Sequence, residues 1–102
     1  MIIRLFIGIL FFTVIVGCQT TPAPVEDYAL ARAAVDAARA VQAARHSPGY
    51  WHQAEEAYRK GRIYYDDHDY SKAKEQFVRA RLAAEKAENS ARLIRQKSGD
   101  VL

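Results

Sequence analysis

The sequence predicts an all-α protein of three helices, the last two folded back on each other as an antiparallel hairpin. Three observations predict it. Apolar residues recur in alternating steps of four and three over residues 30–44 and 73–94, the spacing of one helix face. Alanine, leucine, arginine and glutamine, all good helix formers, dominate residues 25–44. The pattern is punctuated by Ser47-Pro48, by Asp66 through Asp69 and by Gly99, residues suited to starting and stopping helices. At 102 residues the chain is long enough for one domain, and a domain this small buries a modest core.

Residues 1–17 have the layout of a secretory signal. Arg4 supplies the positive start, residues 5–16 form an apolar run interrupted only by Gly8 and Thr13, and the small Gly17 precedes Cys18. The run is about 12 residues, whereas a spanning helix needs roughly 20. Residues 18–24 then read as a short polar tether, Gln19-Thr20-Thr21-Pro22-Ala23-Pro24 after the cysteine, with a reach on the order of 13 Å. The helical domain is expected over residues 25–102.

The first helix is expected over residues 25–44, with Leu30, Ala34, Ala37, Val41 and Ala44 as its apolar stripe and Ala31, Val35 and Ala38 widening it. Ser47 as N-cap and Pro48 at the first helical position start the second helix, over residues 48–65. Glu55–Arg59 and Glu56–Lys60 are four-residue pairs in the favourable orientation on it. Asp69 caps the third helix, over residues 70–97, whose seam Ala73, Phe77, Ala80, Ala84, Ala87, Ala91, Ile94 keeps a strict four-three alternation. An alanine seam lets a neighbouring helix approach closely. Glu75–Arg79, Arg81–Glu85 and Glu88–Arg92 flank the seam, and Gly99 ends the helix.

Three resemblances sit on these residues. Ile15-Val16-Gly17-Cys18 resembles the lipobox of bacterial lipoproteins, with Ile in place of the commoner Leu. The resemblance implies cleavage between Gly17 and Cys18, a diacylglycerol on the Cys18 sulfur and acylation of the new amine; several acyl chains on one residue anchor stably. It also implies sorting by Gln19, which in Gram-negative bacteria favours the outer membrane, periplasmic face. In a Gram-positive source the anchor would be the cytoplasmic membrane.

Gly61, Tyr64, Ala73, Phe77 and Ala80, with Asp69-Tyr70 in the turn, resemble one tetratricopeptide unit. In that motif small residues let two antiparallel helices close up and the rings fill the gap. The sequence departs from the motif at Ala57, which stands where the tryptophan belongs, and at Glu85, which stands where the closing proline belongs. One unit is too little for a solenoid, which needs about three repeats. The chain after the tether is also similar to a family of alanine-rich bacterial lipoprotein domains of unknown function, in which a Tyr, Asp-Tyr, Ala, Phe, Ala hairpin follows an alanine-rich helix. Some relatives carry a peptidoglycan-binding domain behind it; residues up to Leu102 hold no such domain, so wall binding is not carried over.

Composition and motifs argue against several function classes. The net charge is +3, and Arg4 leaves with the signal, so no nucleic-acid footprint is expected. The single cysteine allows no internal disulfide. His46, His52 and His68 fall in no zinc-binding pattern, and Asp66-Asp67-His68-Asp69 lacks the glycine and downstream glutamate of a calcium loop. Ser47, Ser71, Ser90 and Ser98 lack a nucleophile-elbow context, and Glu55 and Glu56 point in different directions on a helix. No enzyme, cofactor or metal is expected. Trp51, Tyr58 and Tyr64 are candidates for the hairpin core; Trp51, Tyr58 and Tyr65 are also candidates for contact with a partner or the lipid interface. Arg79, Arg81, Lys86, Arg92, Arg95 and Lys97 read as a solvated face able to meet anionic polymers or lipid.

The expected function is a membrane-anchored envelope lipoprotein held by the lipid on Cys18, a non-enzymatic helical adaptor or scaffold that binds a protein partner or a second copy. Alternatives are a structural lipoprotein in non-covalent contact with peptidoglycan, and a small membrane-perturbing stress or lysis lipoprotein.

Overall fold

The computed structural model describes residues 2–3 and 21–99. Most of the expected signal, together with Gly17, Cys18 and Gln19, lies outside the described residues. Residues 21–99 hold α1 (Val25–Ala40), α2 (Ala43–His46), α3 (Pro48–Asp66) and α4 (Tyr70–Lys97), and there is no strand among the described residues.

The long α4 is the spine, on the order of 42 Å at 1.5 Å per residue. Its seam is buried as the alternation requires: Ala73, Phe77, Ala80, Ala84, Ala87 and Ala91 are all closed to solvent. The seam stops one position early, because Ile94 is 39% exposed. Among the described residues the buried cluster around Trp51 and Ala54 reaches only as far as Ala91, short of the last turn's apolar face.

Both other long helices pack on this spine. Val35, Ala38 and Val41 of the first segment meet Ala84, Ala87 and Ala91, while Ala31 meets Ala73, Phe77 and Ala80, so α1 runs parallel to α4. Trp51 and Ala54 join the Ala84–Ala91 cluster and Ala57 joins the Phe77 cluster, so α3 runs antiparallel to α4. The order is up, down, up.

The expected single first helix is two pieces. Gln42 takes a left-handed conformation (φ 58°) and its N–H bonds the Arg39 carbonyl at 3.0 Å, which ends α1 and redirects the chain into α2. The break has a packing reason. Val41 and Ala43 would point to nearly opposite sides of one continuous helix, yet both are buried. The stripe also differs from the expected one. Ala31, Val35 and Ala38 face the core, whereas Leu30 is 44% exposed, Ala34 and Ala37 are half-buried and Ala44 is exposed. Tyr28 fixes the rotation: it stacks on Phe77 at 4.5 Å and lies in step with Ala31, Val35 and Ala38 at intervals of three, four and three.

The two helix junctions are built differently. At the α3–α4 turn the N–H of Asp69 bonds the Tyr64 carbonyl (2.9 Å) and that of His68 bonds the Tyr65 carbonyl (3.1 Å), with His68 left-handed at φ 61°. This is a Schellman closure made without glycine. Asp69 then caps α4, its carboxylate accepting from the Lys72 N–H at 3.4 Å, as the sequence predicts. At the α2–α3 junction Pro48 occupies the first helical turn as expected, but Ser47 donates and accepts nothing as a side-chain cap. Its own N–H closes α2 on the Ala43 carbonyl (2.8 Å), and its hydroxyl is turned inward on a residue only 6% exposed. Gly99 supplies the left-handed residue (φ 73°) after α4.

Candidate functional site

Two concave faces flank α3, and both follow from the periodicity of that helix. His52, Glu55, Arg59 and Arg62 are spaced three, four and three and line one side, facing α1 across a hollow of about 640 Å³. Gln53, Glu56, Ala57 and Lys60 line the other, facing Gln76, Arg79, Leu82, Ala83 and Lys86 of α4 across about 370 Å³.

On the α3/α4 face Lys60 and Arg79 are paired along their own helices, while Lys86 has no ion pair among the described residues. Lys60 Nζ lies 3.2 Å from Glu56 Oε1, and Arg79 Nη2 lies 3.0 Å from Glu75 Oε1. The hydrogen bond from Lys60, with its charge, holds the Glu56 carboxyl below the ordinary glutamate range. Arg81–Glu85 (3.6 Å) and Arg92–Glu88 (2.9 Å) close as expected on α4. Being exposed neighbours on one helix, such pairs contribute little stability each.

The α1/α3 face is different. Its floor is the buried Val35 and the half-buried Tyr58. Arg39 lies over the Trp51 ring at 5.7 Å and is paired with Asp36 at 2.9 Å; Arg62 lies over the Tyr58 ring at 5.8 Å. The expected Glu55–Arg59 ion pair is not formed among the described residues. Burial, then the neighbouring Tyr28, pushes the Tyr58 hydroxyl above the ordinary tyrosine range, against the opposing charges of Arg62 and Arg32.

The five hairpin-packing residues do come together. Ala73, Phe77 and Ala80 form one buried cluster with Tyr64 packed against it. Gly61 lets the two helices close: a methyl group at that position would sit 2.7 Å from Phe77 Cδ1 and Cε1. Of the three rings considered for partner contact, Trp51 is a core side chain at 9% exposure, while Tyr58 and Tyr65 are half-buried. Tyr28, absent from the sequence-based set, organises this end of the bundle. It stacks on Phe77 and meets Tyr65 edge-on at 5.1 Å and Tyr58 at 6.0 Å. Its spacing with Ala31 and Val35 is the signal that could have found it.

The acidic turn is occupied by its own structure. Asp69 serves the cap and an ion pair with Lys72 (3.6 Å), and His68 Nδ1 lies 3.2 Å from the Asp66 carbonyl. Among the described residues, no three His, Cys, Asp or Glu side chains gather as a metal site. No helix among them is long and apolar enough to cross a membrane.

A spine of alanines carrying an antiparallel hairpin partner on one side and a broken helix on the other defines the class: a small alanine-rich helical bundle. Residues 26–99 match the family model DUF4398, a domain of unknown function, and the chain belongs to that family. No curated protein and no solved structure matches the chain.

Proposed function

We propose that this chain is a lipid-anchored bacterial envelope lipoprotein whose helical domain is a non-enzymatic adaptor for protein–protein interaction. One observation carries the reading: the only cysteine of the sequence, Cys18, closes the apolar leader at the lipobox position, shortly before the family domain opens at residue 26. Gln19 after it favours the periplasmic face of the outer membrane. The approach of Gly61 to the Phe77 ring, with Ala73 and Ala80 beside it, supports reading α3 and α4 as a tetratricopeptide-like hairpin. The first helix is laid alongside it. Two concave helical faces on so small a core favour recognition of another chain.

Two measurements test this. Labelled palmitate should enter the wild-type protein, and Cys18→Ser should lose both the label and membrane retention; an unchanged variant would end the anchoring part of the reading. Photo-crosslinking residues at Tyr65 and Arg81 in the native envelope should give a discrete protein adduct. Adducts to glycan or lipid alone would replace the adaptor with a wall-contacting or membrane-perturbing lipoprotein.

A further inference from the structure

We infer that the hollow between α1 and α3 is the partner-binding face, and that it takes an acidic polypeptide segment with an apolar side chain set between its carboxylates. This rests on the adaptor reading and names the chemistry of the partner.

The hollow exists because α1 and α3 each pack chiefly on α4 and only lightly on each other. They meet at its two ends, through Tyr28 against Tyr58 and through Arg39 over Trp51. Between those contacts the floor is apolar and ring-lined, made of Val35 and Tyr58. Arg59 and Arg62 stand on the α3 rim.

The charge balance sets the sign of the ligand. Arg39 is taken by Asp36, and Glu56 is turned to Lys60. Of the residues that line the hollow, Arg59 and Arg62 then have no ion pair among the described residues, against the single unpaired carboxylate of Glu55. On α4 the four-residue pairs close at 3.0, 3.6 and 2.9 Å, whereas Glu55–Arg59 beside the hollow stays open, as do Arg32–Asp36 and Arg62–Asp66. Arg62 is further held in place by the Tyr58 ring rather than by a carboxylate. Guanidinium forks left unpaired beside an apolar floor match carboxylates flanking an apolar side chain.

The test uses the full chain in detergent micelles and a fluorescein-labelled peptide of glutamate and leucine, with a lysine-and-leucine peptide of the same length as counter-probe. Two variants remove the same charge: Arg59→Gln with Arg62→Gln at the hollow, and Arg79→Gln with Arg92→Gln on α4. All four positions are exposed, and circular dichroism checks that both variants stay helical. The expected result is binding of the acidic peptide only, weakened about tenfold by the hollow variant and within about twofold of wild type in the α4 variant. Equal loss in both variants would reduce the effect to general attraction and overturn the proposal. So would binding of inorganic polyphosphate in place of the acidic peptide, or full binding by the hollow variant. Crosslinking in the native envelope separates the two levels. A protein adduct at Tyr65 or Arg81 that persists when Arg59 and Arg62 are neutralised sinks this site and leaves the adaptor standing; no protein adduct at any position sinks the adaptor itself.

Discussion

The two ends of the bundle core solve one packing problem in opposite ways. Around Ala84, Ala87 and Ala91 the spine meets Ala38, Ala43 and Ala54, with Val35, Val41 and Trp51 as the larger side chains. Small residues face small residues, and the helices themselves come close. Around Phe77 one fully buried ring occupies the space, Gly61 recedes to admit it, and Tyr28, Tyr58, Tyr64 and Tyr65 close over it. The first end is held by backbone proximity, the second by a large side chain in a fitted socket. The difference teaches what each end tolerates: the aromatic end is vulnerable to removal, the alanine end to addition.

Removal at the aromatic end should therefore give the largest effect. Phe77→Ala leaves a cavity bounded by Gly61, Ala57 and Ala31, small residues that cannot swell to fill it. The loss should be about 3–5 kcal/mol, read from urea denaturation followed by circular dichroism. A loss below about 1 kcal/mol would mean that Tyr28 collapses into the socket and that the ring is not the keystone of this end.

Addition at the alanine end should come next. Ala84→Leu forces extra methylenes between helices that touch through alanine on both sides, for about 1–3 kcal/mol. A neutral or stabilising outcome would show slack between the helices and erase the contrast. Gly61→Ala sharpens it from the other end. Its methyl would meet two atoms of a fully buried ring at 2.7 Å, so it should also cost about 1–3 kcal/mol, and the cost should shrink when Phe77 is Leu. Additive single and double variants would show that the two residues are not coupled.

How much of this could be read in the sequence differs by helix for physical reasons. The α4 seam was legible because its seven positions keep one four-three alternation, and of these only Ile94 is exposed, lying beyond the buried cluster of the described residues. The first helix was ambiguous because alanine appears on most of its sides. Leu30-Ala34-Ala37 and Ala31-Val35-Ala38 are both valid stripes, and the choice was made by Tyr28 docking on Phe77, a contact between residues far apart in the chain. The kink at Gln42 carries no glycine or proline to announce it. The hairpin-packing set was legible because Gly61 and Phe77 have complementary sizes at matched positions. The hollow beside α3 was not, since His52, Glu55, Arg59 and Arg62 look like any solvated face until a second helix is placed across from them.

The two junctions give a smaller effect, and they test whether a cap-type residue is a cap. Asp69→Ala removes the carboxylate that accepts from the Lys72 N–H and should lose about 1 kcal/mol. Ser47→Ala removes a buried hydroxyl that caps nothing, and should change stability by less than about 0.5 kcal/mol. Equal losses at both sites would show that Ser47 caps α3 in solution.

The smallest effect is a pH dependence confined to the aromatic end. Burial, then Tyr28, raises the Tyr58 hydroxyl above its ordinary value. Below an ordinary tyrosine pKa of about 10 the residue is neutral in both the folded and the unfolded chain, and its contribution is fully present. As pH rises past that value the unfolded chain sheds the proton first, so stability falls until the folded chain also ionises. Tyr58→Phe removes this part of the alkaline loss. Melting curves taken across the alkaline range should therefore fall less steeply for the variant than for wild type, and absorbance titration of the six tyrosines should lose its latest-ionising component. Identical alkaline slopes would place Tyr58 in water and open the floor of the hollow between α1 and α3. The aromatic end would then be less closed than its ring contacts imply.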